Sequence, residues 1–344
     1  MKKLLNKNNQ LYKTNIKNDN IDIKSGVKKY EHINELLIKN PIIAEQKCAP
    51  SKKYENGSCF TLESLKKIAE NYNIKNNDKI DINTSVKDDI VNSLTQKLKD
   101  VCSDQTCWLK LNIIKELEDD NINYNTFKPL GPSKKYEWLN TNHINQVIHQ
   151  YHIMNNDFIF LGTVPYDFED LHILGFNDIN FSELYKNNKK KIGLVINLDE
   201  HYKGGSHWVG LFANLEKNQI YYFDSTGKKP LKRIRKFINK ILKFMYKNKF
   251  NDELLINKLL DYINKHKKEI KSNDIINNII NNFDIRYNNI QHQFQNSECG
   301  VYSINFIIQL VNDYNFDDVI NNIINDEEMH KYRNIFFRNI NFKY

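Results

Sequence analysis

Four residues, far apart in the chain, have the types that acyl transfer through sulfur requires: Cys299, His207, Asp224 and Gln293. The thiol lies in "QHQFQNSECGVYSINFIIQLV", residues 291–311, between a polar turn and an apolar run. Asn296 or Ser297 can cap a helix that begins at Cys299. The first turn of a helix offers unpaired backbone N–H groups and the positive end of its dipole, so it favours a thiolate. Gly300 carries no side chain and would let a substrate approach closely. A lone cysteine at a helix start is more often a small buried residue. The chemical reading therefore depends on what else the chain brings to the sulfur.

A base and an acid come from "GGSHWVGLFANLEKNQIYYFDS". Two strand-like runs flank a polar turn, which predicts a hairpin centred near Glu216 and Lys217. That register sets Asp224 opposite Val209. Side chains alternate faces along a strand, so His207 and Val209 point one way and Trp208 the other. Asp224 and His207 become diagonal neighbours, about 7–8 Å apart at the backbone and within side-chain reach. The carboxylate can hold the imidazole tautomer and support its positive charge. Gln293 lies just before the turn that leads to Cys299. Its amide NH₂ and the Cys299 N–H form a candidate pair of oxyanion donors. Gln295 or Asn296 could fill the same role.

The elements that must position these groups form an α+β core: a mixed central sheet packed on helices, with the cysteine at the N-terminus of a buried helix. "DFIFLGTVPYDF" and "KIGLVINLDE" read as strands, the second nearly all apolar and so central. "HWVGLFANL", "QIYYFDS" and "FDIRYNNIQHQ" add three more. "CGVYSINFIIQLVNDY" is too densely apolar for a surface helix. "PLKRIRKFINKILKFMYKNK" is a basic amphipathic helix; residues 240–285 otherwise receive no assignment. Residues 1–126 read as a polar, mostly helical N-terminal arm. "TLESLKKIAENYN" starts at the N-cap Thr61, "DDIVNSLTQKLKDVC" repeats the helical pattern, and "NKNNQ", "KNDN" and "KNND" are loop-like. The two prolines and glycine of "FKPLGPSKK" mark the boundary, which leaves 127–344 as the catalytic core. Trp138 and "GTVPYDFEDL" are candidates for the rim of a substrate groove.

The bulk numbers are compatible with this. The 344 residues suffice for one large or two modest cores, and aromatics at 12% argue against a disordered chain. A net charge of +8 suits work near an acidic surface, and the basic helix at 228–249 suits non-specific contact with nucleic acid. Its plainer reading is a solvated helix face. No apolar run reaches membrane-spanning length, and "MKKLLNKNNQ" lacks the apolar core of a signal peptide. The expectation is a soluble intracellular protein. Five cysteines, an odd number without a secretion signal, predict reduced thiols. Cys102 and Cys107 with Cys48 and Cys59 could supply a zinc site, but the spacing is unlike the usual knuckles. Incidental packing thiols are the better expectation.

Taken together, "SHWVGLF", "YYFDS" and "QHQFQNSECGVYS", in the order His, Asp, Gln, Cys, resemble the adenovirus-protease and SUMO-specific-protease superfamily of cysteine peptidases. Within it the chain is most similar to the polyprotein-processing proteases of the African swine fever virus type found in large DNA viruses. "VINLDEHYKGGSHWV", "FKPLGPSKKYEWLNTNHIN" and "INDEEMHKYRNIFFRNI" share that likeness, as does "SCFTLESLKK" in the arm. The resemblance implies His207 as base, Cys299 as nucleophile, Gln293 as oxyanion amide and Asp224 as the third member. At the last position the swine-fever type has an amide, whereas SUMO proteases have Asp. It further implies a thiol protease that cleaves after Gly-Gly-type motifs in viral core polyproteins, in host cytoplasm and virion, without metal or cofactor. Deconjugation of ubiquitin-like modifiers, and acyl transfer on the same Cys–His layout, are the rival readings.

Overall fold

The computed structural model describes residues 47–250 and 282–338. The loop-like stretches at 6–10 and 17–20, the opening "MKKLLNKNNQ" and residues 251–281 lie outside them. The chain divides into two compact units. Among the described residues, one comprises Trp138–Ile148 and Asn155–His330; the other comprises 47–137, His149–Met154 and 331–338.

The helical unit is built on α1 (Leu62–Lys75) and α2 (Lys87–Leu98), followed by the short helices α3 (Gln105–Trp108), α4 (Asn112–Lys115) and α5 (Asp120–Asn123). Helix α1 begins where expected, with the Thr61 hydroxyl accepting from the Ser64 N–H. Its buried residues Leu65, Ile68, Ala69 and Tyr72 recur at helical spacing, as do Ile90, Val91, Leu94 and Leu98 of α2. Phe60 stacks on Trp108 with ring centroids 5.9 Å apart, inside the same core.

The expectation of reduced thiols fails in this unit. Cys48 is bonded to Cys59, and Cys102 to Cys107. The pairs are close in sequence, and local folding brings their Cα atoms to 5.3 and 5.5 Å, within the bridging range. For the second pair the agent is Asp104. It caps α3 by accepting from the Thr106 and Cys107 N–H groups, and this turns the chain back toward Cys102. With all four sulfurs in disulfides, none remains as a zinc ligand. The odd count misled because the fifth cysteine, Cys299, is the free one.

The other unit contains α6 (Thr141–Met154, which runs on into the helical unit), β1 (Phe158–Val164), α7 (Phe181–Lys186), β2 (Lys191–Asn197), β3 (Trp208–Asn214), β4 (Gln219–Phe223), α8 (Lys232–Phe250), β5 (Asp284–Tyr287), α9 (Cys299–Val311), α10 (Phe316–Asn321) and α11 (Asp326–Lys331). A last helix, α12 (Arg333–Phe336), belongs to the helical unit. The strands form one sheet in the order β1-β2-β3-β4-β5. It is mixed, as expected: β1 and β5 run parallel to their neighbours, while β2–β3 and β3–β4 are antiparallel.

Both faces of the sheet are covered, which is why β2 and β3 are buried at every residue. On one face Ile192, Leu194, Ile196, Val209 and Leu211 share a core with Ile234, Phe237, Ile238 and Ile241 of the basic helix α8. On the other lies α9, buried along its whole length. Two glycines seat it. A Cβ at Gly210 would stand 2.6 Å from Phe306, and one at Gly193 would stand 2.8 Å from Phe158 and 3.2 Å from Ile307. This close approach fixes where α9 lies on the sheet, and hence where Cys299 emerges. Among the described residues no helix is long and apolar enough to cross a membrane.

Candidate active site

The hairpin register places the base and the acid. Gly210 pairs with Phe223 and Asn214 with Gln219. Carried one residue further, this sets Val209 opposite Asp224, as the sequence predicts. The Asn214 side chain accepts from the Glu216 and Lys217 N–H groups, and Asn218 takes the left-handed backbone, φ 54°, that closes the turn. His207 Nε2 lies 2.7 Å from Asp224 Oδ1. Asp224 is fully buried, and the same oxygen also accepts from the Thr226 N–H and hydroxyl, at 2.8 Å each. Asn288 brackets the turn. Its Oδ1 accepts from the Asp224 N–H, and its Nδ2 donates to the Asp224 and Ile290 carbonyls.

Cys299, 2% exposed, is the first residue of α9. At that position its N–H has no acceptor within the helix. The residue before it is the N-cap, but the cap is Glu298, with no capping hydrogen bond from its side chain, rather than Asn296 or Ser297. Glu298 is held elsewhere. Its Oε1 lies 2.9 Å from His330 Nδ1 and accepts from the Ser297 hydroxyl at 2.9 Å, and all three residues are buried. The place that Gly300 leaves open is taken by the chain itself. A Cβ there would stand 3.0 Å from Leu139 Cβ. Leu139 also receives the Trp208 indole N–H on its carbonyl, at 2.8 Å. The glycine thus admits Leu139, not the substrate as the sequence suggests.

His207 joins the two halves. Burial pulls its pKa down, but hydrogen bonds to Asp224 and to Cys299, with the negative charge of both, raise it to about 9. Nε2 is taken by Asp224, so Nδ1 is left to face the sulfur. Burial pushes the Asp224 carboxyl up; the His207 and Thr226 hydrogen bonds more than offset this and hold it below its ordinary value. These groups hold His207 as the imidazolium at neutral pH. A second histidine–carboxylate pair, His201 Nδ1 with Asp167 Oδ2 at 2.6 Å, lies in the β2–β3 connection. The His201 side chain is 52% exposed against 19% for His207, and only His207 has the thiol among its partners.

Of the three amides considered for the oxyanion, Gln293 is buried while Gln295 and Asn296 are exposed. The Gln293 N–H donates to the Ser225 carbonyl at 2.9 Å, its Oε1 accepts from the Ser225 hydroxyl at 2.6 Å, and its Nε2 donates to the Gln295 carbonyl at 2.6 Å. Asp326 holds the same loop, its Oδ2 accepting from the Phe294 and Gln295 N–H groups at 2.7 and 2.9 Å. Ser225, Asn288, Asp326 and the Glu298–His330 pair escaped the sequence reading. The serine of "FDS" next to the predicted acid was the nearest available signal.

The profile of the "Ulp1 protease family, C-terminal catalytic domain" matches residues 183–342, a span that holds His207, Asp224, Gln293 and Cys299. The chain is 30% identical over 313 residues to the "putative thiol protease R355" of Acanthamoeba polyphaga mimivirus, covering 85% of this chain and 93% of that one. The chain belongs to the Ulp1 protease family. It is a cysteine peptidase. The crystal structure of the African swine fever virus protease pS273R matches with a TM-score of 0.54 at 19% identity, over 86% of this chain and 97% of that one. This likeness is one of fold, and it includes the helical region ahead of the sheet. The Ulp1 protease domain solved with Smt3, the yeast orthologue of SUMO, is 16% identical over 58% of this chain and 74% of that one, at a TM-score of 0.36. Cys299 is the free cysteine among the described residues.

Proposed function

We propose that the protein is an endopeptidase that cleaves viral core or capsid polyproteins after Gly-Gly-type motifs, through a Cys299–His207–Asp224 triad with Gln293 as oxyanion donor. The observation that carries this is His207 held between Asp224 and Cys299 at the start of a buried helix. His207 takes the thiol proton, and the thiolate attacks the peptide carbonyl. The oxyanion is met by the Cys299 N–H and the remaining Gln293 N–H. His207 then protonates the leaving amine, and water releases the acyl group with His207 as base. Asp224 holds Nε2 and supports the imidazolium throughout. Leu139 packs against Gly300, the residue after the thiol, and accepts from the Trp208 indole, so it borders the approach to the sulfur. Trp138, exposed beside Leu139, would border the same approach.

The fold match to a swine-fever virus protease and the mimivirus relative favour a viral polyprotein substrate, and with it a working place in host cytoplasm and virion. The family profile supports a second reading, cleavage of ubiquitin-like conjugates. The basic residues of α8 not turned into the core are proposed to make non-specific contact with nucleic acid. The experiment compares a Gly-Gly-containing core-polyprotein fragment with a SUMO fusion, each incubated with the protein and with Cys299→Ala. Cleavage of the first after glycine, lost in the variant, is the expected result. Cleavage of the fusion alone would replace the proposed substrate, and cleavage by the variant would remove the proposed nucleophile.

A further inference from the structure

We propose that Ser225 is a positioning residue that sets the Gln293 amide, so that its NH₂ and not its oxygen faces the oxyanion. The inference rests on the oxyanion reading of Gln293. Both residues are buried, 1% and 4% exposed. The amide is gripped at both ends, and the chemistry of the grips decides its orientation. The Gln295 carbonyl, 2.6 Å away, can only accept, so the atom facing it must be Nε2. Oε1 then faces the Ser225 hydroxyl at 2.6 Å, which must donate. An amide nitrogen carries two hydrogens, and one is spent on Gln295. The other is left for the developing oxyanion.

The surroundings keep this frame rigid. The Ser225 carbonyl accepts from the His292 and Gln293 N–H groups at 2.8 and 2.9 Å, and Asp326 ties down the backbone of Phe294 and Gln295 from the other side. Ser225 directly follows Asp224. One turn at the end of β4 therefore serves both halves of the reaction. Its first side chain orients the base, and its second orients the amide that meets the negative oxygen. Without the hydroxyl, Oε1 is buried with no donor, and the amide gains by rotating toward any other N–H.

The test is a double-mutant cycle on Ser225→Ala and Gln293→Ala, which isolates the pairwise effect. Two rates are read for each protein: turnover of a fluorogenic Gly-Gly peptide, and alkylation of Cys299 by iodoacetamide, which forms no oxyanion. Ser225→Ala should lower kcat by about 10- to 100-fold, at or below the loss seen for removing an oxyanion donor outright. KM and the alkylation rate should stay within about twofold, and in the Gln293→Ala background the serine substitution should add nothing further. Equal losses in both backgrounds, or alkylation falling in step with kcat, would overturn the inference by revealing a purely structural role. Undiminished kcat in Gln293→Ala would remove the oxyanion reading itself. A loss in Gln293→Ala with none in Ser225→Ala would overturn this inference alone.

Discussion

The two units are held together by different means. Of the helices that lie wholly within it, the helical unit has two long ones, α1 and α2, and four of four residues, together with two disulfides. Short helices are marginal in isolation, so cross-links matter there. The catalytic unit has a sheet covered on both faces and a helix buried from end to end. It is secured by side-chain packing, and its cysteine is free. Sulfur is thus in opposite states in the two places: oxidised into disulfides in one, free and buried with a histidine for a partner in the other. One chain can host both because the pairs near the N-terminus are local, 11 and 5 residues apart, while Cys299 is enclosed at a helix start.

That contrast can be broken or sharpened by substitution. Cys299→Ala should abolish peptide hydrolysis, a loss of about 10⁴-fold or more, with the melting temperature unchanged. A variant with residual turnover above one per cent would place the chemistry on another group. Asp224→Asn should cost about 10²- to 10⁴-fold in kcat, since the tautomer and the charge support are both lost. It should also move the pH profile. His207 is raised to about 9 by groups that include Asp224, so the active imidazolium persists below that pH and is lost above it. Activity in the native protein should therefore fall on the alkaline side near pH 9. Removing the carboxylate lowers the His207 pKa and shifts that limb to lower pH. A limb that stays in place would mean that Asp224 does not tune the base.

Smaller effects separate the two units. Glu298→Ala removes the buried acceptor of the His330 and Ser297 side chains, and a buried polar group left unsatisfied costs about 1–3 kcal/mol. Chemical denaturation monitored by Trp208 fluorescence should report that loss in the catalytic unit. Paired Cys48→Ser and Cys59→Ser changes should cost about 2–4 kcal/mol, read as faster limited proteolysis between residues 47 and 126, while Cys299 alkylation keeps its native rate. Loss of alkylation in that variant would show that the two uses of sulfur are not independent. Gly300→Ala should be mildest, about 1–3 kcal/mol of overpacking against Leu139, visible as a lower melting temperature.

The strands were legible because β1 to β4 carry long apolar or alternating runs, and the hairpin register followed from one polar turn. His207 and Asp224 were legible for the same reason: once strand pairing is known, alternation places them. The disulfides were not, because a count of thiols says nothing of how Asp104 turns the chain between Cys102 and Cys107. The role of Gly300 was misread because Leu139, which fills its space, is 161 positions away in the chain. Asp326 and His330 were missed for the same physical reason. Their partners, the backbone at 294–295 and Glu298, are some 30 residues distant, and no periodicity links them.

The direct test of a thiol activated by His207 is labelling with a Gly-Gly peptide bearing an electrophilic C-terminus, followed by mass mapping of the adduct in the native protein and in His207→Ala. One adduct, on Cys299, slowed by about 10²-fold or more without the imidazole, is the outcome the geometry requires. An adduct on any of the four arm cysteines, or equal labelling of Cys299 in both proteins, would contradict it.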